Sequence, residues 1–293
     1  MESVSLEGHS QARPRVPAWI RTKVAGGDRY TQLRESKRRF SLHTVCEEAK
    51  CPNIGECWSH GTATFMLMGE VCTRRCHFCS VEKGKPGALD PNEPEQVAET
   101  IAAMGLDYAV LTSVDRDDLP DQGAGHIAAT IEAIRRRLPA CGLEMLIPDF
   151  RGEPDCVHRV VTTPLMVLAH NIETVPRLYK SVRPGAIYER SLRVLEMAKE
   201  FRPDILTKSS LMLGLGETRE ELLQVFADLR RYGCDILTLG QYLRPSPEQL
   251  PVVAYITPIE FAELRDDALK LGFRHVESGP MVRSSYHAWE HVR

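Results

Sequence analysis

From residue 62 onward, short apolar runs alternate with stretches of helical periodicity, and the alternation repeats six times. The candidate strands are Thr62–Met68, Tyr108–Ser113, Leu143–Ile147, Leu165–His170, Ile205–Leu213 and Ile236–Leu239. Helical patterns fall near Glu95–Met104, Ala124–Leu138, Tyr188–Phe201 and Thr218–Tyr232, with a weaker one after Asp149 and a last one at Thr257–Leu271. A strand followed by a helix and then another strand implies parallel pairing with helices on the outside. Six units fall short of the eight that close a full barrel. The pattern therefore predicts an α/β fold, an open six-unit partial barrel, with a doubly wound sheet as the alternative. The clearest helix is that at Thr218. Thr218 and Glu221 make a capping-box pair, Leu222, Val225, Phe226 and Leu229 share one face, and Gly233 supplies the stop. Thr257 and Pro258 mark the start of the last helix in the same way.

In parallel α/β folds, function gathers at the C-terminal ends of the strands. The segments there read TSVDRDDLPD, IPDFRG, HNIET, GLGET and QYLRPSP. Six of the nine cysteines form two triplets. Cys72, Cys76 and Cys79 read C-x3-C-x2-C just after the first strand, and Cys46, Cys51 and Cys57 read C-x4-C-x5-C before it. Nine cysteines in a chain with no apolar leader point to metal binding in a reducing, cytoplasmic compartment rather than to disulfides. Structural zinc takes four ligands, and a cubane cluster takes one per iron. Three cysteines thus leave one metal corner to something else. Zinc completed by His77 is disfavoured, because His77 adjoins Cys76. Cys141, Cys156 and Cys234 have no motif spacing and read as core residues.

Composition narrows the partners. A net charge of −3 gives no general argument for nucleic acid or a membrane surface, and no apolar run approaches the ~20 residues of a spanning helix. The first forty residues differ, with nine Lys or Arg against four Asp or Glu. This basic arm, which includes Arg13, Arg15 and Arg21, is either solvated chain or a docking surface for an acidic partner.

The motif Cys72–Cys79, with aromatic Phe78 before the last cysteine, resembles the signature of the radical S-adenosylmethionine superfamily. The resemblance implies that Cys72, Cys76 and Cys79 hold three irons of a 4Fe-4S cluster whose fourth iron chelates S-adenosylmethionine. It also implies a partial barrel. It suggests cofactor contacts from Thr112 and Ser113, from Asn171 and Glu173, and from the Gly214 to Glu217 segment, where Ser210 stands in place of the usual leading glycine. The first triplet, together with GTATFM, LTSVDRDDLPD, IPDFRG, HNIETVPRLYKSVRPGA, GLGETREE and GPMVRSSYHA, resembles the lipoyl synthase family over about residues 15–288.

That resemblance implies radical insertion of two sulfur atoms at carbons 6 and 8 of an octanoyl chain on a carrier lysine. Cys46, Cys51 and Cys57 would hold an auxiliary 4Fe-4S cluster that supplies the sulfur, with Ser285 of RSSY as its fourth ligand and Ser284 the weaker choice. Arg283 would cover the site or position substrate. The implied partners are octanoylated lipoyl carrier domains of 2-oxoacid dehydrogenases and of glycine cleavage, a donor such as ferredoxin or flavodoxin, and an iron–sulfur carrier. Three positions depart from the family pattern: His77, Ser80 and Gln249. The expected organisation is an N-terminal extension (1–60), the barrel (61–273) and a C-terminal extension (274–293). A methylthiotransferase-like enzyme and an iron–sulfur carrier are the alternatives. The first would carry a nucleic-acid-binding domain, of which no basic stripe gives a sign.

Overall fold

The computed structural model describes residues 16–20, 31, 53–59 and 61–292. Cys46, Cys51, Arg13, Arg15 and Arg21 lie outside the described residues. A short helix α1 (Ile54–Ser59) leads into strand β1 (Thr62–Leu67). A two-stranded ribbon, β2 (Val71–Cys72) with β3 (Glu82–Lys83), follows. Then come α2 (Glu93–Ala103), β4 (Tyr108–Ser113), α3 (Ala124–Arg137), β5 (Gly142–Leu146), α4 (Pro154–Val161) and β6 (Val167–Ala169). The chain continues through α5 (Tyr179–Val182), α6 (Tyr188–Phe201), β7 (Leu206–Leu213), α7 (Arg219–Arg231), β8 (Ile236–Gln241), α8 (Pro258–Lys270) and β9 (His275–Gly279).

The main sheet runs β1-β4-β5-β6-β7-β8-β9, and every pair in it is parallel. The six-unit expectation holds, and one strand is added to it. β9 is short and half-buried, so its sequence, HVESG, carries no strong strand signal. It lies in the segment assigned from sequence to the C-terminal extension.

Side chains alternate across a strand, and here the two faces differ in kind. Ala63, Phe65, Leu67, Leu111, Leu143, Met145 and Leu168 pack outward in one buried cluster with Val97, Ile101, Ile127, Ile131 and Val157 of the helices. Leu211, Leu213, Leu237 and Leu239 do so with Leu222, Val225 and Phe226 in a second. Each of the larger side chains contributes about 1.5–3 kcal/mol on burial, and this convex layer holds the barrel together. Cys141, Cys156 and Cys234 are buried within it, as expected from their lack of spacing. The concave face carries polar residues instead: Thr64 on β1, Glu144 on β5, Lys208 on β7, Thr238 on β8 and Glu277 on β9, the last two paired in register. Lys208 donates to Glu144 at 2.8 Å with both side chains fully buried.

Both capping boxes form as the sequence predicts, Thr218 with Glu221 and Thr257 with Glu260. Gly233 follows the first of these helices with a left-handed φ of 81°.

Candidate functional site

The second cysteine triplet emerges from the ribbon just beyond the C-terminal end of β1, where the parallel strands point. Backbone bonds fasten this loop to the ends of several strands. Thr73 N–H donates to the Asp115 carbonyl (3.1 Å), His77 N–H to that of Val182 (2.9 Å), and Leu250 N–H to that of His77 (3.1 Å). The Gln249 amide donates to the Cys79 carbonyl at 3.3 Å. Gln249 thus ties the loop after β8 to the third cysteine of the triplet. Phe78 packs against Val182, Leu215 and Tyr242 and anchors the loop in a small apolar cluster at the rim.

The strongest fastening lies inside the motif. Arg74, between Cys72 and Cys76, has a side chain only 9% exposed and meets Asp115 (3.3 Å), Asp117 (2.9 Å) and Asp149 (2.6 Å). Asp149 has a fully buried side chain and binds Arg190 with its other oxygen at 2.8 Å. A buried guanidinium is tolerated only when its charge is matched, so this network fixes the loop's path. Burial alone would raise the Asp149 carboxyl, but its bond to Arg74 overcomes that and holds it at about 2. Asp115 is pushed up, first by burial and despite Arg74. The loop after β4 thus carries an ion-pair network, and Arg116 closes on Asp118 within it at 2.8 Å.

Burial, then the Asp115 charge, pushes the Cys72 thiol up to about 11. Burial drives Cys76 to about 12 against the pull of Arg183, and Cys79 also rises by burial. Three thiols this reluctant to ionise in a dry site need a cation to become thiolates, and binding one releases their protons. Three soft donors on one fastened loop fit a cluster with one corner left for another ligand.

Around this loop stand the other rim residues. Thr112 shares the concave face with Val110, and Ser113 points the other way, its hydroxyl buried without a partner. The Asn171 amide donates to Glu173 at 3.1 Å, and its carbonyl oxygen is buried and unpartnered. Glu173 sits at a left-handed φ of 66° and pairs by backbone with Ser210 and Met212 at 2.9 Å each. Its carboxyl is pushed up by burial and drawn back by Arg183. Glu217 accepts from the backbone N–H groups of Gly214 and Leu215, the latter at 2.9 Å. Gly214 has φ 100°, and a Cβ there would meet the Ala254 carbonyl and the Gln241 amide at 2.3 Å. The glycine is required by that approach. The Asn171 oxygen is a buried acceptor without a present partner, as expected where a polar ligand docks.

A separate small cavity lies against the concave side of β1. Asn53, Cys57, Thr62, Thr64, Arg283, Ser285 and Tyr286 line it. Cys57 and Ser285, from opposite ends of the described chain, thus share one cavity, and Ser284 is not among its lining residues. Thr64 Oγ1 donates to Ser285 Oγ at 3.0 Å. The tail is held there by Asn53, which donates to the Met281 carbonyl (2.5 Å), and by Tyr286 O–H, which donates to Glu56 (3.1 Å). Arg283 donates to the Val282 carbonyl at 2.7 Å.

Sequence reading left out Arg74, Asp149, Arg183 and Arg190. The RR pair inside the cysteine motif and the aspartate within IPDFRG are the signals that pointed to Arg74 and Asp149, and neither has a characteristic spacing.

Comparison with known proteins agrees with this geometry. The model of the radical SAM superfamily matches residues 66–229, and solved structures share the fold. Methylornithine synthase superposes with a TM-score of 0.56 at 14% identity, covering 85% of this chain and 81% of its own. Streptococcus suis SuiB gives 0.57 at 9% identity, covering 78% and 53%. The fold and the cysteine loop together define a radical S-adenosylmethionine protein. The model for the N-terminal domain of lipoyl synthase matches residues 2–51. Curated lipoyl synthases from Rubrobacter xylanophilus and Thermus thermophilus are each 56% identical, covering 94% and 97% of this chain and 85% and 90% of theirs. The chain belongs to the lipoyl synthase family, and its reaction class is radical sulfur insertion. No helix among the described residues is long and apolar enough to cross a membrane.

Proposed function

We propose that this chain converts a protein-bound octanoyl-lysine to lipoyl-lysine with two clusters in separate places. Cys72, Cys76 and Cys79 hold the one that binds S-adenosylmethionine. Cys46, Cys51, Cys57 and Ser285 hold the one that supplies sulfur. The observation that carries this is the shared cavity of Cys57 and Ser285, 228 residues apart in sequence and distinct from the fastened loop of Cys72. When bound, the first cluster with S-adenosylmethionine supplies a carbon radical able to take hydrogen from an unactivated C–H bond.

The protein's own part is positional. The Arg74 network holds the three-thiol loop at one setting. Phe78, Val182, Leu215 and Tyr242 make a dry wall beside it, which suits an intermediate that water would quench. Thr112, Asn171 and Glu173 offer polar atoms toward the amino-acid part of the cofactor, and the Gly214 turn, braced by Glu217, lets a flat ring approach the backbone. Ser285 is a hard oxygen among thiolates, a corner suited to release. Arg283 lines the same cavity and orients substrate there. The substrate would be an octanoylated lipoyl carrier domain, with a ferredoxin- or flavodoxin-like donor and an iron–sulfur carrier as further partners, in the cytoplasm.

The test is anaerobic turnover with an octanoylated carrier peptide, read by product mass together with iron analysis. The reading expects the mass of two added sulfur atoms and about eight irons per chain. About four irons, or a product without sulfur, overturns it.

A further inference from the structure

His275 and Glu277 stand two residues apart on β9 and so face the same side of the sheet. In register they pair with Ile236 and Thr238, which places them on the polar concave face, His275 toward the end opposite the cysteine loop. The tail brings His291 to them. One donor atom from each of the three lies within 4.8 Å of the others, and among the described residues no other three His, Cys, Asp or Glu side chains are so arranged. His275 Nε2 and Glu277 Oε2 are 3.5 Å apart, and the His275 and His291 rings are 4.5 Å apart by centroid. Two ligands of a tetrahedral zinc ion, each about 2.0–2.2 Å from it, sit roughly 3.3–3.6 Å from one another. The His275–Glu277 spacing is therefore that of two ligands on one ion.

A second observation is independent of the spacing. His291 is 1% exposed, and neither of its ring nitrogens has a hydrogen-bond partner. The Nε2 of His275 has none either. Each buried orphan of this kind costs about 1–3 kcal/mol, and each of the two rings can turn one nitrogen to the cluster. The neighbouring cation is itself matched. Lys208 is paired with Glu144 at 2.8 Å. His275 and Glu277 remain about a quarter exposed, which leaves a way in for the ion and a place for a water.

We propose that His275, Glu277 and His291 bind one zinc-class divalent ion. Two imidazoles and one carboxylate suit zinc and its neighbours rather than magnesium or calcium. The ion would pin the tail to β9 six residues beyond Ser285. Any effect on that serine's cluster rests on the reading above, whereas the ion site does not.

The anaerobic holoenzyme is treated with EDTA, desalted, equilibrated with Zn(II) in the presence of excess Mg(II), and desalted again. Zinc and iron are measured in the same sample for the parent chain, Glu277→Gln and His291→Gln. The proposal expects about one zinc per chain in the parent, near-complete loss in both variants, and unchanged iron. Zinc should also slow removal of the last residues by a carboxypeptidase in the parent and not in Glu277→Gln. Equal zinc in the parent and Glu277→Gln, or none retained by the parent, overturns it. Glu277 is only partly buried, so its amide form tests the site without depending on the buried His291. A wrong assignment of Ser285 would instead appear as unchanged iron in Ser285→Ala, with the zinc result untouched.

Discussion

Asp149→Asn removes one charge from a carboxylate that bridges two guanidinium groups and leaves its shape in place. Asp149 touches Arg74 at 2.6 Å and Arg190 at 2.8 Å with no exposure of its side chain. A carboxyl whose ordinary pKa is 3.8 and which titrates at about 2 in the fold contributes about 2.5 kcal/mol at neutral pH. Removing one partner of a fully buried pair costs about 3–5 kcal/mol. Here Arg74 keeps Asp117 at 2.9 Å, so about 2–4 kcal/mol is expected. Because the folded-state pKa is depressed, this stabilisation is full above about pH 4 and is lost as pH falls toward 2. Urea unfolding of the chain, with Arg151→Ala as reference, measures it. Arg151 is half-exposed and meets Asp117 at 3.2 Å, a contact worth under about 1 kcal/mol. The variant should also lose iron from the cluster of Cys72, Cys76 and Cys79, since Arg74 sits inside that motif. A loss below about 1 kcal/mol with full iron would refute the idea that the buried network sets the loop.

Cys72→Ala should abolish reductive cleavage of S-adenosylmethionine, whereas Cys51→Ala should leave cleavage and hydrogen abstraction but yield no lipoyl product. Lipoyl product from Cys51→Ala, read by mass, would remove that residue from the sulfur-donating site. Gly214→Ala should destabilise by about 1–3 kcal/mol through the forced positive φ, with a further loss from contact with Ala254 and Gln241; an unchanged urea midpoint would contradict the close approach. His170 is buried, donates through Nδ1 to the Ile147 carbonyl at 2.9 Å, and has its pKa lowered from 6.5 to about 4, chiefly by burial. The unfolded chain therefore binds the extra proton first, and stability should fall by about 3 kcal/mol as pH drops from 6.5 to 4. His170→Gln should flatten that slope in a pH series of unfolding midpoints; an equal slope would assign the acid sensitivity elsewhere.

Much of the fold was legible because its signals are local. A strand whose outward face must be apolar reads as Ala63, Phe65 and Leu67 whatever surrounds it, and a helix start reads as Thr218 with Glu221. The cysteine triplets were legible for a related reason: each lies within one short segment of the chain. β9 was not legible, because a half-buried edge strand needs little apolar content and HVESG has little.

By itself the sequence determined the alternation that makes a parallel barrel, the two cysteine triplets, and the family those motifs resemble. Only the tertiary structure decided which distant groups meet. Ser285 reaches the cavity of Cys57 because the tail crosses back over β1 and is held by Asn53 and Thr64. Arg74 finds Asp149 because adjacent parallel strands bring their C-terminal loops to one rim. His291 meets His275 and Glu277 because the tail folds back against β9. Such meetings depend on where loops close in space, and a linear pattern of residue types carries no term for that distance.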